Sequence, residues 1–457
     1  MLCLVSGTSY AQSSAQTTIQ QTLTLDQAIQ YASDHYPTLR AALEQVNASA
    51  ANVDVARSAY LPRLDSLWQS TRGTTNNVFG QVLPQSVIPA ISGPVLTSAS
   101  DQSVWGSATG ALFSWEPFDF GLRHATVVSA EAAVTQARAG ETLTRLDVQN
   151  AVATAFLAVV AAQRTVAAAQ ADLDRRDVLL RSIQVLVTNQ LRPGADQSRA
   201  EAERAASQTR LIQAQETFAL AEAALVRALG SGAARVTIEA DGLLTRTPPA
   251  DIAPTPVAAH PLARLRQANV DLAHAQEQVL AETDLPRVFV QSSAFARGTG
   301  ANANGVLDGG VGGLGLDRAN WAAGFQVLFP NVFDFSTLKS RKAAAAASSR
   351  ASAALYDEAV LAITSQQQAA TAVVQAARAI AANTPVQLAA AQQTEVQARA
   401  RYEAGLASIV EVADAQSLLA QAEVQDQLAR VDVWRALLAS AIAEGDLTPF
   451  LNLIHQP

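Results

Sequence analysis

Five histidines, His35, His124, His260, His274 and His455, are the side chains best suited to acid–base work or to holding a metal, and they are scattered. No two have the spacing that HExxH uses to set two imidazoles on one helix face beside a glutamate. Cys3 is the only cysteine, so a thiolate metal cluster within the chain is excluded. No glycine-rich loop precedes Lys-Ser or Lys-Thr, the arrangement that wraps backbone N–H groups around phosphates. Gly298 to Gly315 is glycine-rich, but it lacks the strand-loop-helix context of a nucleotide site. Serine is plentiful, with no nucleophile motif. Together these absences argue against an enzyme, and no cofactor is expected.

Four aromatic residues could act by surface physics. Phe113, Trp115, Trp321 and Phe329 lie near the ends of short alternating segments. There they form either an interfacial aromatic girdle or the core of a small soluble sheet. The chain of 457 residues is 49% hydrophobic and 16% charged, enough for a large core, although much of the apolar content is alanine. A net charge of −8 without a Lys/Arg-rich run argues against nucleic-acid binding. No segment is expected to be a long uninterrupted apolar membrane helix. That leaves barrel strands open, because they are short and alternating.

The first residues, Met1 to Gln12, read as the tail of a secretory signal, with a brief apolar run and small residues at Ser9 and Ala11. The positively charged start of such a signal is missing. Cleavage after Ala11 would remove Cys3. Lipid attachment at Cys3 is disfavoured by Leu2 before it.

The elements that follow come twice. Pro37 and Tyr60-Leu61-Pro62-Arg63-Leu64 recur at the same spacing as Pro261 and Asp284-Leu285-Pro286-Arg287-Val288. Phe118-Asp119-Phe120 recurs as Phe333-Asp334-Phe335. From there a second offset matches Leu191 to Leu406, Ala200 to Ala415 and Gly230 to Gly445. A unit of roughly 215–225 residues is too long for a solenoid repeat and reads as a duplicated half-structure. Residues 1–15 are the signal remnant and tail, 16–230 the first repeat, 231–260 a Pro/Gly/Ala linker, and 261–457 the second repeat.

Asp26 to Ala59 reads as helix with Asp26 as N-cap, interrupted at Pro37. Val46, Val53 and Tyr60 lie seven apart, a coiled-coil seam. Arg63 to Arg72, Val104 to Glu116, Arg287 to Arg297 and Trp321 to Phe329 read as strands, with long polar connections. The alternation at Val288/Val290 and Phe325/Val327/Phe329 marks one apolar face. After each Phe-Asp-Phe comes a long helix. Gly121 to Arg192 contains no proline and would be roughly 105 Å long. Val152, Val159, Val166, Leu173, Leu180 and Val187 hold six successive heptad positions, a left-handed supercoil signal. Ser336 to Ala404 is similar, with Pro385 expected to kink it. Each long helix ends in a short turn and a returning helix. Leu211, Phe218 and Leu225 mark one return seam, and Val424, Val431 and Leu438 the other. Gly230 and Gly445 are expected as C-terminal caps.

Four strands cannot close a membrane barrel, and open edges are not tolerated in lipid. If the strands span a membrane, chains must combine: two would give eight strands, three would give twelve.

The order and spacing of His35-Tyr36-Pro37-Thr38-Leu39-Arg40, Tyr60-Leu61-Pro62-Arg63, Phe118-Asp119-Phe120-Gly121 and Ala404-Gly405-Leu406-Ala407-Ser408-Ile409-Val410-Glu411-Val412-Ala413-Asp414-Ala415-Gln416 resemble TolC-type outer-membrane efflux proteins over nearly the whole chain. The resemblance implies a mainly α fold with a small transmembrane β part. That fold is a duplicated long-helix coiled-coil α-barrel plus four strands per chain, closed in a homotrimer as a 12-stranded β-barrel. It also implies the outer membrane of a Gram-negative cell as location, with a long periplasmic extension in contact with outer-membrane lipid only at the barrel. The implied function is passive export, driven by an inner-membrane transporter through a periplasmic adaptor (membrane fusion) protein. The competing reading is a coiled-coil scaffold of the cell envelope with no pore.

The same resemblance implies a periplasmic tip where Glu411 and Asp414 form acidic rings around the axis. Threefold symmetry would bring like charges together, and such rings attract cations. It assigns Tyr402 as the residue that ties the inner coil to its neighbour, with Asp196 as its partner. This chain departs at Ala407, where some members carry a basic tether residue; Arg192 is the nearby candidate to replace it. Leu191, Arg192, Gly194, Gly405, Leu406 and Ser408, at the turns, are the expected adaptor contacts.

Overall fold

The computed structural model describes residues 22–74, 87, 101–231, 236–239, 251–301, 306–330 and 335–455. The signal-like start with Cys3, the pair Phe333-Asp334, and residues 232–235 and 240–250 of the expected linker lie outside the described residues.

Helix α1 (Leu25–His35) begins at Thr24, whose side chain accepts from Gln27 while Gln27 reaches back to the Thr24 backbone. The N-cap is therefore Thr24 and not Asp26, which sits in the first turn. A threonine with glutamine three residues on satisfies two orphan N–H groups, whereas an aspartate already inside the helix can satisfy none of them as a cap. Pro37 starts α2 (Pro37–Ser58), as its fixed φ and missing N–H favour.

The strands are β2 (Arg63–Thr74), β3 (Ser103–Phe118), β5 (Arg287–Thr299) and β6 (Arg318–Leu328). They form one antiparallel sheet in the order β2-β3-β5-β6. Two other strands, β1 (Thr22–Leu23) and β4 (Thr237–Ile238), pair in parallel. The long helices are α3 (Leu122–Thr188) and α6 (Phe335–Glu403), and the return helices are α4 (Gly194–Ala228) and α7 (Ile409–Glu444). Helix α5 (Pro261–Glu282) precedes β5, and α8 (Thr448–His455) ends the described chain.

The element pattern recurs. Helices α2 and α5 both have 22 residues, α3 and α6 have 67 and 69, and α4 and α7 have 35 and 36. Gly230 (φ +66°) and Gly445 (φ +79°) end the return helices in the left-handed conformation that glycine adopts without strain. A Cβ on Gly230 would lie 2.9 Å from Tyr36, and one on Gly445 2.6 Å from Pro261. Each repeat thus closes its return helix on its own opening proline turn.

Two compact units cut across the repeats. One comprises residues 1–46, 137–267 and 354–457; the other comprises 47–136 and 268–353. The helical unit has a core of Val152, Phe156, Leu157, Leu437, Trp434 and Phe450, all nearly inaccessible. None of the six heptad positions on α3 is exposed. This part of α3 corrects the expectation that no segment is apolar enough to cross a membrane. One window of α3 passes by length and composition, with 56% of it buried. Its valines and alanines pack against other helices of the unit. Helix α6 continues through Pro385; beside it Thr384 donates to Asp426 on α7 at 3.0 Å, both buried.

In the strand unit, directly opposite residues of the sheet share a face. One face carries Leu64, Trp68, Trp105, Phe113, Trp115, Val290, Trp321 and Phe325. The other carries Arg63, Asp65, Gln69, Ser114, Gln291, Arg297, Arg318, Asn320 and Gln326. At the strand-to-helix junction Asp119 accepts from the Arg123 backbone and side chain at 2.7 and 2.8 Å, and the Arg123 guanidinium lies 4.5 Å from the Tyr60 ring. Asp119 is therefore an N-terminal cap and clasp for α3.

Candidate functional site: the paired helix turns

Helices α3 and α6 end in the same hydrogen-bond pattern. The Leu191 N–H reaches back to Leu186 and that of Gln190 to Val187; the Leu406 N–H reaches Arg401 and that of Gly405 reaches Tyr402. This closure needs a left-handed residue after the last helical turn. Gly405 supplies it at φ +77°, but in the first turn it is Gln190 at φ +60°.

Around these turns Ile183, Ala200, Tyr402, Ala407, Ile409 and Val412 form a small buried core. The Tyr402 hydroxyl donates to Asp196 Oδ2 at 3.0 Å. The Arg192 guanidinium donates to the Tyr402 carbonyl and lies 4.3 Å from its ring centroid. Tyr402, Asp196 and Arg192 are therefore in one cluster, within a single chain. Burial and the Asp196 carboxylate push the Tyr402 phenol up to about 12, so it stays a neutral donor. Ala407 is buried and offers no polar group.

Glu411 and Asp414 do not join this cluster. Glu411 is the third residue of α7 and accepts from the Ser408 backbone at 3.4 Å, while Ser408 caps the helix in return. Its other oxygen lies 3.9 Å from Arg401, with both side chains more than half exposed, so this pair contributes little to stability. Asp414 is exposed one turn further on. Leu191 and Leu406 are 68% and 72% exposed, an unusual state for leucine at two equivalent positions. Gly194, Gly405 and Ser408 are also exposed, and Arg192 is half-buried.

A second cluster was missed by sequence reasoning. Asp172 accepts from Ser207 at 2.6 Å, Arg210 at 2.9 Å and Arg176 at 3.1 Å, and Arg176 also contacts Glu203 and Ser417. Asp172 and Arg176 are each 2% exposed. Burial works against the Asp172 charge, but Ser207, Arg210 and Arg176 outweigh it and leave its carboxyl below the ordinary value. The signal was present: Asp172-Leu173-Asp174-Arg175-Arg176-Asp177 interrupts an otherwise apolar and small heptad run. A cavity of about 10 Å³ adjoins it, lined by Arg176, Leu179, Ala200, Glu203, Ile409, Ala413 and Gln416.

The predicted aromatics divide. Phe113, Trp115 and Trp321 lie on the apolar sheet face, with Trp321 81% exposed. Phe329 lies just past the end of β6. Trp68 and Trp105 share the apolar face and were not singled out from sequence. Leu67 on the opposite face blurs the alternation around Trp68. Among the described residues no group of His, Cys, Asp and Glu is arranged to hold a metal.

Comparison with known proteins agrees with this architecture. A family model described as Outer membrane efflux protein matches residues 28–231 and 260–439. No curated protein matches the chain. Among solved structures, the outer membrane protein VceC from Vibrio cholerae is 20% identical, with a TM-score of 0.71, covering 92% of this chain and 96% of its own. CusC, a transmembrane channel, is 15% identical with a TM-score of 0.76, covering 96% of each chain. The Campylobacter jejuni CmeC outer membrane channel is 14% identical with a TM-score of 0.73, covering 92% of this chain and 85% of its own.

Proposed function

The chain belongs to the outer membrane efflux protein family, and on that premise we propose that three copies close into one gated exit duct. An efflux channel of the outer membrane, with a periplasmic helical extension, is the level that family membership itself carries. The trimer, its gate and its partners are the further reading.

One observation carries it: the four-stranded sheet has one apolar exposed face and two outer edges without a partner strand among the described residues. In lipid those edges must be paired. Three copies give twelve strands in a closed barrel. On the apolar face, Trp115 and Trp105 are ten positions apart on β3, about 34 Å along the strand. Tilted by about 40°, that spans about 26 Å, the height of the apolar band of such barrels. Trp115, with Phe113 and Trp321 on the same face and Phe329 at the end of β6, then faces lipid. Repeats 16–230 and 261–457 each contribute one hairpin to the barrel and one helical hairpin to the extension.

The turns form the inner end. Glu411 and Asp414, exposed near the start of α7, face the axis as two acidic rings. Tyr402, held by Asp196 and Arg192, fixes the closed position. Leu191, Arg192, Gly194, Gly405, Leu406 and Ser408 present the surface that a periplasmic adaptor grips, and through it an inner-membrane pump supplies the energy.

Conductance of detergent-purified protein in a planar bilayer tests this reading. Discrete cation-preferring openings are expected, with the preference lost in E411A/D414A. Pores with unchanged preference in that variant would remove the acidic gate and keep the duct. A protein that stays soluble without detergent and opens no pores would remove the duct.

A further inference from the structure

The apolar face of the sheet carries one charged residue among its paired positions, Arg72 on β2. Arg72 stands directly opposite Trp105 on β3, with its Cζ 5.6 Å from the Trp105 ring centroid. Its Nε donates to Ser103 Oγ at 3.1 Å. That contact fixes one edge of the guanidinium and leaves the Nη edge without a partner among the described residues. Arg72 is exposed and makes no ion pair among the described residues, and the connection from 75 to 100 contains no carboxylate. An arginine on a lipid-facing surface is costly inside the hydrocarbon and belongs at the level of the headgroups.

A second feature lies against the same stretch of β3. The turn Val311–Leu314, between β5 and β6, packs on β3 and β5. The hydroxyl of Ser107, two residues from Trp105 on the apolar face, donates to the Gly313 and Leu314 carbonyls at 3.1 Å each. Two glycines permit this approach. A Cβ on Gly298 would lie 1.7 Å from the Gly315 carbonyl oxygen, and one on Gly313 1.8 Å from that of Trp105. The turn's backbone is thus fastened to the sheet, while Val311 and Leu314 are 71% and 39% exposed. Gly309 to Leu316 contains no charged residue, and Asp308 before it accepts from the Gly310 N–H at 2.9 Å. Because β3 and β5 are the inner strands of the sheet, the turn lies clear of the outer edges on β2 and β6.

We infer that Arg72, Trp105 and the 311–314 turn form a site for one anionic membrane lipid at the outer rim of the apolar face. The lipid phosphate sits on the Nη edge of Arg72, and an acyl chain lies beside Val311 and Leu314. Trp105 adjoins both halves of the site. This rests on the reading that the apolar face meets lipid, in which Trp105 marks the outer boundary of the apolar band. The guanidinium fork matches phosphate oxygens in a geometry lysine cannot copy. A lipid with net negative charge is favoured there over a zwitterionic one. One such site on each copy fixes the depth at which the outer rim rides in the membrane.

The test uses full-length protein in phosphatidylcholine vesicles that contain a minor fraction of dibrominated lipid, whose bromines quench tryptophan fluorescence on contact. Dibrominated phosphatidic acid should bind more tightly than dibrominated phosphatidylcholine by about 5-fold, the effect of one basic group at an anionic surface. R72Q should lose that preference. R72K, which keeps the charge and loses the fork, should fall between the two and guards against a folding defect in the glutamine variant. Inorganic phosphate should leave the preference intact, since it brings no acyl chain to Val311 and Leu314; its erasing the preference would overturn the lipid as ligand. Equal quenching by the two lipids in the wild type, or an unchanged preference in R72Q, would overturn the site and leave the lipid-facing sheet standing. Loss of assembly in R72Q would assign Arg72 to the seam between copies and overturn the site as well. No quenching by either lipid would overturn the lipid-facing sheet and the site with it.

Discussion

In the first helical hairpin Asp172, Arg176, Ser207 and Arg210 meet in one buried ionic cluster. The second hairpin is offset by 215 residues, as Leu406 is from Leu191, and the same positions hold Gln387, Ala391, Ala422 and Gln425. There the buried contact is Ala391 and Ala422 with Leu419, and Gln387 donates to Gln425 at 2.8 Å on the surface. The helices are nearly equal in length in both repeats. Charge is therefore not what makes the hairpin; the small-residue heptad pattern suffices. What the charges add is a tie to a third helix, since Arg176 reaches Ser417 at 3.1 Å and Arg175 holds Glu423 at 3.0 and 2.6 Å, both on α7.

The largest expected effect follows from breaking the ionic side alone. D172A takes from the buried Arg176 its buried partner and leaves it the partly exposed Glu203 at 3.1 Å, and should cost about 3 kcal/mol, read by denaturant unfolding in detergent. Q387A, at the equivalent position, should cost about 1 kcal/mol or less. The pH dependence has a defined sign. The Asp172 carboxyl is lowered from 3.8 in the fold, so the unfolded chain takes up the proton first as pH falls. Its contribution is complete above the ordinary value and is lost as pH drops through the lowered one. D172A should flatten that acid limb. Equal costs for D172A and Q387A would erase the distinction between the hairpins.

A sharper version transplants one solution into the other. D172Q/R176A/S207A/R210Q gives the first hairpin the side chains of the second. Replacing a whole buried ion cluster by a packed apolar contact is neutral or stabilising by about 1–4 kcal/mol. The variant should therefore unfold no earlier than the wild type. A large loss would mean that the tie to α7 stabilises the first hairpin more than its own packing does.

The turns, where the gate is proposed, carry the same contrast. Tyr402 belongs to the second repeat, but its partners Asp196 and Arg192 belong to the first, and their counterparts are Glu411 and Ala407. Y402F removes a hydrogen bond to a carboxylate, about 1.5–3 kcal/mol. If the clamp holds the gate shut, open probability should rise by about 10- to 100-fold. The phenol is raised to about 12, so the clamp is fully present below pH 10 and is lost as pH climbs through 12. Unchanged gating in Y402F would make the cluster a packing feature only.

Much of this was legible from sequence because it depends on repetition. Pro37 and Pro261, and Gly230 with Gly445, each state a backbone requirement at a fixed spacing, and the structure meets each one; the heptad residues of α3 state a packing face, and each is buried or half-buried. Tyr402 and Asp196 are 206 residues apart, so no local pattern pairs them; only the family resemblance did. The Asp172 cluster joins three helices; Asp172 and Arg176 read as an ordinary i, i+4 surface pair until packing buries them. The apolar sheet face was half hidden, because Leu67, Leu112 and Phe295 lie on the polar face and interrupt the period of two. Thr24 was missed as a cap because Asp26, two residues on, is an equally good cap by type.

The smallest effect concerns the single residue that closes each long helix. Gly405 and Gln190 hold the same left-handed position at φ +77° and +60°. A side chain there costs roughly 1 kcal/mol relative to glycine. Nothing lies within 4 Å of a Cβ at Gly405 except the end of the Arg192 side chain, at 3.9 Å, so space does not decide the matter and backbone strain does. Q190G should therefore stabilise the protein by about 1 kcal/mol, less the extra freedom glycine gives the unfolded chain. G405Q should destabilise it by a similar amount, and the double exchange should return near the wild type. If Q190G instead destabilises, the Gln190 side chain itself holds the first turn, and the two closures are alike in geometry but not in cause.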